Sequence, residues 1–340
     1  MKVLVTGSAG FIGFHTALRL IERGDQVVGI DNLNDYYDVT LKEARLALLE
    51  DAAGRAQGSF VFEREDLTHA DALSACFAAH DFDRVIHLAA QAGVRHSIDH
   101  PHDYVQANIV AFVNILEACR HHTVAHLTYA STSSVYGANT AMPYAEAHSA
   151  DHPLQFYAAT KRANELMAHA YANLFALPVT GLRFFTVYGP WGRPDMAFFS
   201  FTRAILAGEP ITLFNDGHHS RDFTYVSDIA EGVIRASDDC AVSDSAWLSD
   251  APTPASSRVP YRILNIGNGK RVALLDYVRA IEAAAGREAI IQHAPMQPGD
   301  VPDTWADVSA LEAATGYRPQ VDVAEGMARF VAWYRDYYAV

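Results

Sequence analysis

From the amino terminus to about residue 185, short apolar runs rich in β-branched residues alternate with longer stretches whose apolar positions recur at helical spacing. Lys2–Thr6, Gln26–Ile30, Phe60–Arg64, Arg84–Ala89, Ala125–Ala130 and Val179–Phe184 predict buried strands. Between them, Phe11–Arg23, Thr40–Glu50, Asp71–Ala79, Asp103–Arg120 and Phe156–Phe175 predict helices. Strand–helix alternation at this pitch implies right-handed crossovers and a doubly wound α/β fold, a parallel sheet covered on both faces.

Beyond residue 185 the rhythm changes. Aromatic and Gly/Pro-rich segments, Tyr188–Asp195 and Phe214–Phe223, precede a helical pattern at Ser227–Ser237. Asp238–Pro260, rich in Ser, Pro, Ala and Asp, reads as an exposed loop. Helical patterns return at Leu274–Ala285 and Val323–Tyr338. The expected organisation is a dinucleotide-binding domain over 1–184, with 221–240 returning to it. A smaller mixed α/β domain over 185–220 and 241–340 then closes over the carboxyl ends of the strands, where ligands of open α/β sheets bind.

Composition narrows the function classes. With 340 residues, half of them hydrophobic, the chain can bury a large core. Its formal net charge of −14 argues against nucleic acid or an anionic membrane as a partner. No apolar run reaches the roughly 18–20 residues of a membrane helix. A secretory leader is not expected either, because glycines at 7–13 interrupt the first apolar run. The cysteines, Cys76, Cys119 and Cys240, are too scattered for a disulfide framework and point to a reducing cytoplasm. Histidine pairs such as His121/His122 and His218/His219 lack helix-face metal spacing with a third ligand, so no metal is expected.

The first strand runs into Gly7-Ser8-Ala9-Gly10-Phe11-Ile12-Gly13 and then a helix. Glycines there allow a tight turn, close approach of backbone to a diphosphate, and close helix–strand packing. The diphosphate sits on the helix N-terminus, where free N–H groups favour negative charge. Asp31, ending the second strand beside Asn32, accepts both adenosine ribose hydroxyls and would repel a 2′-phosphate, so NAD is expected rather than NADP. Asp66-Leu67 either holds the adenine edge or caps a helix. The small residues of Leu88-Ala89-Ala90 let backbone pass close to the cofactor. Lys42 and Arg45 read as solvated charges on a helix.

Ser131-Thr132-Ser133-Ser134 closes the fifth strand and projects hydroxyls into the crevice. Tyr157 and Lys161 share a helix face at i, i+4. A free tyrosine, with a pKa of about 10, is a poor base at neutral pH. An ammonium and a positive nicotinamide ring nearby would favour its phenolate.

With these motifs the chain resembles, nearly end to end, the extended short-chain dehydrogenase/reductase superfamily and its Rossmann-type fold. Within that superfamily it is most similar to the UDP-glucuronate 4-epimerases of the NAD-dependent epimerase/dehydratase family. The resemblance rests on Asp31–Asp38, Gln91-Ala92-Gly93-Val94-Arg95, Arg183–Gly189, Tyr188–Met196, Arg221–Val226, Gln297–Asp300 (with Pro298) and Trp305-Ala306-Asp307. It implies catalysis by Thr132, Tyr157 and Lys161, and a UDP-sugar held near Gln91, Arg95, Ser133, Thr186, Arg193, Arg221 and Asp300. Related dehydratases carry an Asp-Glu pair at Ser133-Ser134, and related decarboxylases a Glu at Ser134, so elimination is not expected. Hexose 4-epimerases usually have Asn in place of Thr186 and Arg in place of Gln297, which favours a uronate. A guanidinium at Arg193 suits a planar carboxylate. Arg221 either holds the diphosphate or pairs with Asp222, and Arg95 either approaches the substrate or stays on the surface. Relatives pair through a four-helix interface, which here would use Asp103–Arg120 and Phe156–Phe175 in a homodimer. The rival readings are a UDP-glucose 4-epimerase, a UDP-glucuronate decarboxylase and a non-catalytic NAD-binding sensor.

Overall fold

Alternation along the first strand shows how the sheet is covered: Val3 and Val5 face one hydrophobic core and Leu4 the other. The computed structural model describes residues 1–297 and 299–340; Pro298 lies outside the described residues. Strands β1 (Lys2–Thr6), β2 (Gln26–Asp31), β3 (Ser59–Arg64), β4 (Arg84–His87), β5 (His126–Thr132) and β6 (Val179–Phe184) are all parallel. They continue into β7 (Thr186–Tyr188), β8 (Pro210–Phe214), β9 (Ser220–Tyr225), β10 (Tyr261–Ile266), β11 (Arg271–Ala273) and β12 (Ile290–Ala294). The central sheet has seven strands in the order β10-β6-β5-β4-β1-β2-β3, so its order reverses between β1 and β4. That reversal opens the crevice in which doubly wound folds bind ligands.

Helices α1 (Phe11–Arg23) and α2 (Val39–Arg55) lie on one face of the sheet. On the other lie α3 (Ala70–His80), α6 (Ala111–His121) and α7 (Phe156–Phe175), with the short helices α4 (His96–Asp99) and α5 (Pro101–Tyr104) preceding α6. Phe11, Phe14, Ala17, Leu20 and Ile21 form the buried stripe of α1, and Gly24 ends that helix at φ +98, a backbone region that favours glycine. Each fully buried Leu, Ile or Phe contributes about 1.5–3 kcal/mol relative to exposure.

The second layer begins with α8 (Ala197–Ala207); α9 (Val226–Asp238) lies against α1 on the central sheet, and α10 (Leu274–Ala285), α11 (Ser309–Thr315) and α12 (Val323–Tyr338) follow. It also contains a three-stranded sheet, β11-β9-β7, and the parallel pair β12-β8. Three findings depart from the sequence reading. Strand β10, inside the stretch given to the second domain, pairs with β6 as an edge of the central sheet. Of the returning stretch, only α9 packs back, against α1; β9 stays in the small sheet. The helix expected over Asp103–Arg120 is broken into α5, a π-helical segment Val105–Val110, and α6. Single π turns inside helices are rare and cluster at functional sites.

Candidate active site

A cavity of about 950 Å³ runs along the carboxyl ends of the central strands. Its wall near β1 is built by glycine. Gly7 sits at φ +70, and a Cβ there would lie 2.8 Å from the Ala89 nitrogen. A Cβ on Gly13 would lie 2.0 Å from the Gly7 carbonyl oxygen, so α1 starts where no side chain fits. Gly10, Phe11 and Ile12 complete this lining. The result is a cradle of backbone that a Cβ would fill, at a helix N-terminus, which suits a dinucleotide diphosphate.

Asp31 stands at the end of β2 with one carboxylate oxygen accepting from the Leu33 N–H at 2.9 Å and the other from Ala9 at 3.2 Å. Burial raises its pKa, while those N–H groups and the Lys42 and Arg45 charges oppose the rise. Asn32 donates to Asp66 at 2.8 Å. Asp66 also accepts from the Thr68 N–H and hydroxyl, so it both turns the chain before α3 and lines the cavity beside Leu67. Leu88, Ala89, Ala90 and Gln91 follow β4 along the floor.

At the far end, Thr132, Ser133, Tyr157, Lys161, Thr186 and Arg193 line the same space. Burial pushes the Tyr157 phenol up, while the Thr132 hydroxyl and the Arg193 guanidinium pull it down. The sequence reading gave the lowering to Lys161 and the nicotinamide; within the protein itself those two groups do it, and burial outweighs them. Lys161 is 1% exposed, and burial draws its pKa from the ordinary lysine value to about 8. Below it, Glu165 takes both Arg183 Nε and Nη2 at 2.9 Å and the Ser131 hydroxyl at 2.6 Å. This buried pair bolts α7, which carries Tyr157 and Lys161, to β5 and β6. Breaking such a pair by removing one partner costs about 3–5 kcal/mol.

Arg95, Arg221 and Asp300 do not line this cavity; they gather at another edge. Arg95 pairs with Asp300 at 3.3 Å and stacks over Phe214 at 5.1 Å. Arg221 donates to the Ser220 and Pro302 carbonyls at 2.9 and 2.7 Å, and Asp300 lies close enough to favour its charge. Its alternative partner, Asp222, is engaged elsewhere: it accepts from the N–H groups of Asn268, Gly269 and Ala306, and burial raises its pKa to about 6.

Several side chains here were misread or missed in the sequence. Lys42 and Arg45, expected in solvent, are buried, with 4% and 0% exposure. Lys42 donates to Asn34. Arg45 donates to the Ala9 carbonyl at 2.7 Å and the Trp191 carbonyl at 2.6 Å, tying the glycine turn to the loop that carries Arg193. Asn108, in the π-helical segment, exchanges two hydrogen bonds with the Gln91 backbone and donates to Thr160 on α7. A polar residue inside an apolar helical pattern was the available signal for it. His96, His100 and Asp103, and separately Glu63, Cys76 and His80, bring potential metal-ligating atoms within 4.8 Å of one another.

Residues 3–247 match the profile of the NAD dependent epimerase/dehydratase family. The chain is 49% identical to a Rhizobium meliloti protein named "Probable UDP-glucuronate 4-epimerase", with 99% of this chain and 98% of that one aligned. It is 45% identical to UDP-glucuronate 4-epimerase 4 of Arabidopsis thaliana, across 100% of this chain and 76% of the plant protein. Among solved structures it is similar to the UDP-glucuronic acid 4-epimerase of Bacillus cereus in complex with UDP-glucuronic acid and NAD. That likeness has a TM-score of 0.84 and 34% identity, and covers 99% of this chain and 100% of that one.

Proposed function

The chain belongs to the NAD-dependent epimerase/dehydratase family, and we propose that within it this protein inverts C4 of UDP-glucuronate to give UDP-galacturonate. One observation carries the reading. A single cavity joins the glycine cradle to Thr132, Tyr157 and Lys161 and then to Thr186 and Arg193, with hydroxyls rather than carboxyls at Ser133 and Ser134. Relatives named for this activity, one crystallised with NAD and UDP-glucuronic acid, support it.

The cofactor is NAD, held by the backbone at Gly7–Gly13, by Asp31 on the adenosine ribose, and by Tyr157 and Lys161 at the other end. Bound there, it would supply two-electron redox chemistry at C4, which allows a 4-keto state with no net redox change. As the phenolate that the positive nicotinamide ring would favour in the loaded site, Tyr157 accepts the C4 hydroxyl proton and gives it back. The Thr132 hydroxyl acts on the phenol to lower its pKa, and both side chains line the cavity where C4 would sit. Thr186 and Arg193 hold the sugar carboxylate, the group that separates a uronate from a hexose. A 4-keto uronate is a β-keto acid, and it loses carbon dioxide fastest when the bond to its carboxylate stands perpendicular to the carbonyl. Gripping that carboxylate keeps it out of this geometry. Gln91 and Ser133 complete the sugar end of the cavity, and Arg95, Arg221 and Asp300, gathered at the other edge, would meet the remainder of the UDP-sugar.

The protein works as a soluble cytoplasmic homodimer in this reading. All three cysteines are free, Cys76 and Cys119 in the core, which suits a reducing compartment. On α7, Leu166, Leu174 and Phe175 are exposed, which suits pairing through that helix. No described helix is long and apolar enough to cross a membrane. Incubation with UDP-glucuronate followed by NMR tests the function. UDP-galacturonate is expected; UDP-xylose would make the protein a decarboxylase, and no conversion would leave a binding protein.

A further inference from the structure

We propose that His96, His100 and Asp103 form a binding site for a divalent transition metal such as Zn²⁺ at the mouth of the cavity. His96 lies on α4, His100 at the junction between α4 and α5, and Asp103 on α5, so both short helices contribute. The His96 Nε2 and a carboxylate oxygen of Asp103 are 3.5 Å apart, and one ligand atom from each residue lies within 4.8 Å of the other two. A tetrahedral zinc ion with bonds of about 2.0–2.2 Å needs ligand atoms about 3.3–3.6 Å apart, so modest side-chain rotation closes the site.

The imidazoles stack with centroids 4.3 Å apart at 21°. Neutral imidazole is the ligating form. The position is braced from the protein side. The Tyr36 and Tyr104 rings lie 5.0 and 6.0 Å from that of His96, and Tyr104 donates to the Gly93 and Ala92 carbonyls. Two nitrogens and one carboxylate suit Zn²⁺, Co²⁺ or Ni²⁺ over Mg²⁺ or Ca²⁺, and three protein ligands leave a coordination position for water.

The other candidate, Glu63–Cys76–His80, is less ready. Its His80 and Glu63 already hydrogen-bond at 2.7 Å, and burial and Glu63 together hold the Cys76 thiol protonated. At the first site the consequence is mechanical. All three ligands line the cavity, and α5 runs directly into the π-helical segment whose Asn108 holds Gln91. A bound ion therefore clamps α4 to α5 beside the entrance, and Zn²⁺ inhibits turnover reversibly.

The test titrates the full-length protein with Zn²⁺ by calorimetry and with Co²⁺ by absorption. One site per chain is expected, weakened by at least about tenfold in His100→Ala and in Asp103→Asn and unchanged in Cys76→Ser. His100 and Asp103 are exposed, so neither substitution removes a core contact. Chelation should reverse the inhibition. Affinity unchanged in both ligand variants, a thiolate-to-cobalt charge-transfer band, or no saturable binding would each overturn the proposal.

Discussion

Arg193 donates through Nε and Nη2 to the two carboxylate oxygens of Asp195, at 3.0 and 2.6 Å. The guanidinium assigned to the sugar carboxylate is thus already held by a carboxylate two residues on, while its plane faces Tyr36 at 5.8 Å. Asp195 presets its orientation through Nε and Nη2 and leaves Nη1 outside the pair.

A hydrogen bond to a charged group contributes about 1.5–3 kcal/mol, so Arg193→Ala should lower kcat/KM for UDP-glucuronate about 10- to 150-fold. UDP-glucose, which has no carboxylate, should lose less than about threefold on the same basis. Equal losses on the two substrates would remove Arg193 from carboxylate recognition.

Tyr157→Phe deletes one oxygen and leaves the ring against Tyr104 in place. Turnover should fall about 10²- to 10⁴-fold, the usual size of a general acid–base contribution. NAD content, read from absorbance of the purified protein, should match the parent. Undiminished turnover would mean another group moves the proton.

Gly13→Ala should abolish NAD retention and lower the melting temperature, because its methyl would press on the Gly7 carbonyl of the diphosphate turn. Overpacking of this kind costs about 1–3 kcal/mol or more. Normal NAD content in that variant would show that the turn does not need its backbone spacing.

Lys161 carries a stability cost whose sign follows from its pKa, lowered to about 8 by burial. An unfolded lysine keeps its proton to about pH 10.4. Between those values the unfolded chain binds more protons, so stability from this group rises with pH across that window and the full cost is present below it. Lys161→Met should therefore be more stable than the parent at pH 7 in the NAD-free state, by about 1–3 kcal/mol. In urea titrations the gap should narrow toward pH 10. A constant gap would contradict the buried ammonium.

How far the sequence was legible depended on how local the determining physics was. The range Phe156–Phe175 appears in the structure as predicted, because a helical stripe of apolar positions is a local signal. The turn at Gly7–Gly13 was likewise readable, since its glycines answer to contacts made within the first strand–helix unit and with Ala89. Lys42 and Arg45 were not. Their burial depends on carbonyls at Asn34, Ala9 and Trp191, the last far away in sequence. Strand β10 was hidden for the same reason: only its partner β6 shows that Tyr261–Ile266 belongs to the central sheet. The π-helical break at Val105–Val110 leaves the apolar periodicity intact, and it became visible only through Asn108 and its bonds to Gln91. Of the side chains that line the cavity, Asp31 and Thr132 stand at strand ends, and Tyr157 and Lys161 on a helix, α7, that the pattern predicted. The separate grouping of Arg95, Arg221 and Asp300 comes from folding of the second layer.

In the proposed mechanism the hydrogen leaving C4 stays within the site and returns to the opposite face. UDP-glucuronate deuterated at C4, turned over in ordinary water, tests it most directly. The account predicts UDP-galacturonate that retains deuterium at C4, because a hydrogen carried with its electron pair does not exchange with solvent. Product bearing protium at C4 would contradict it.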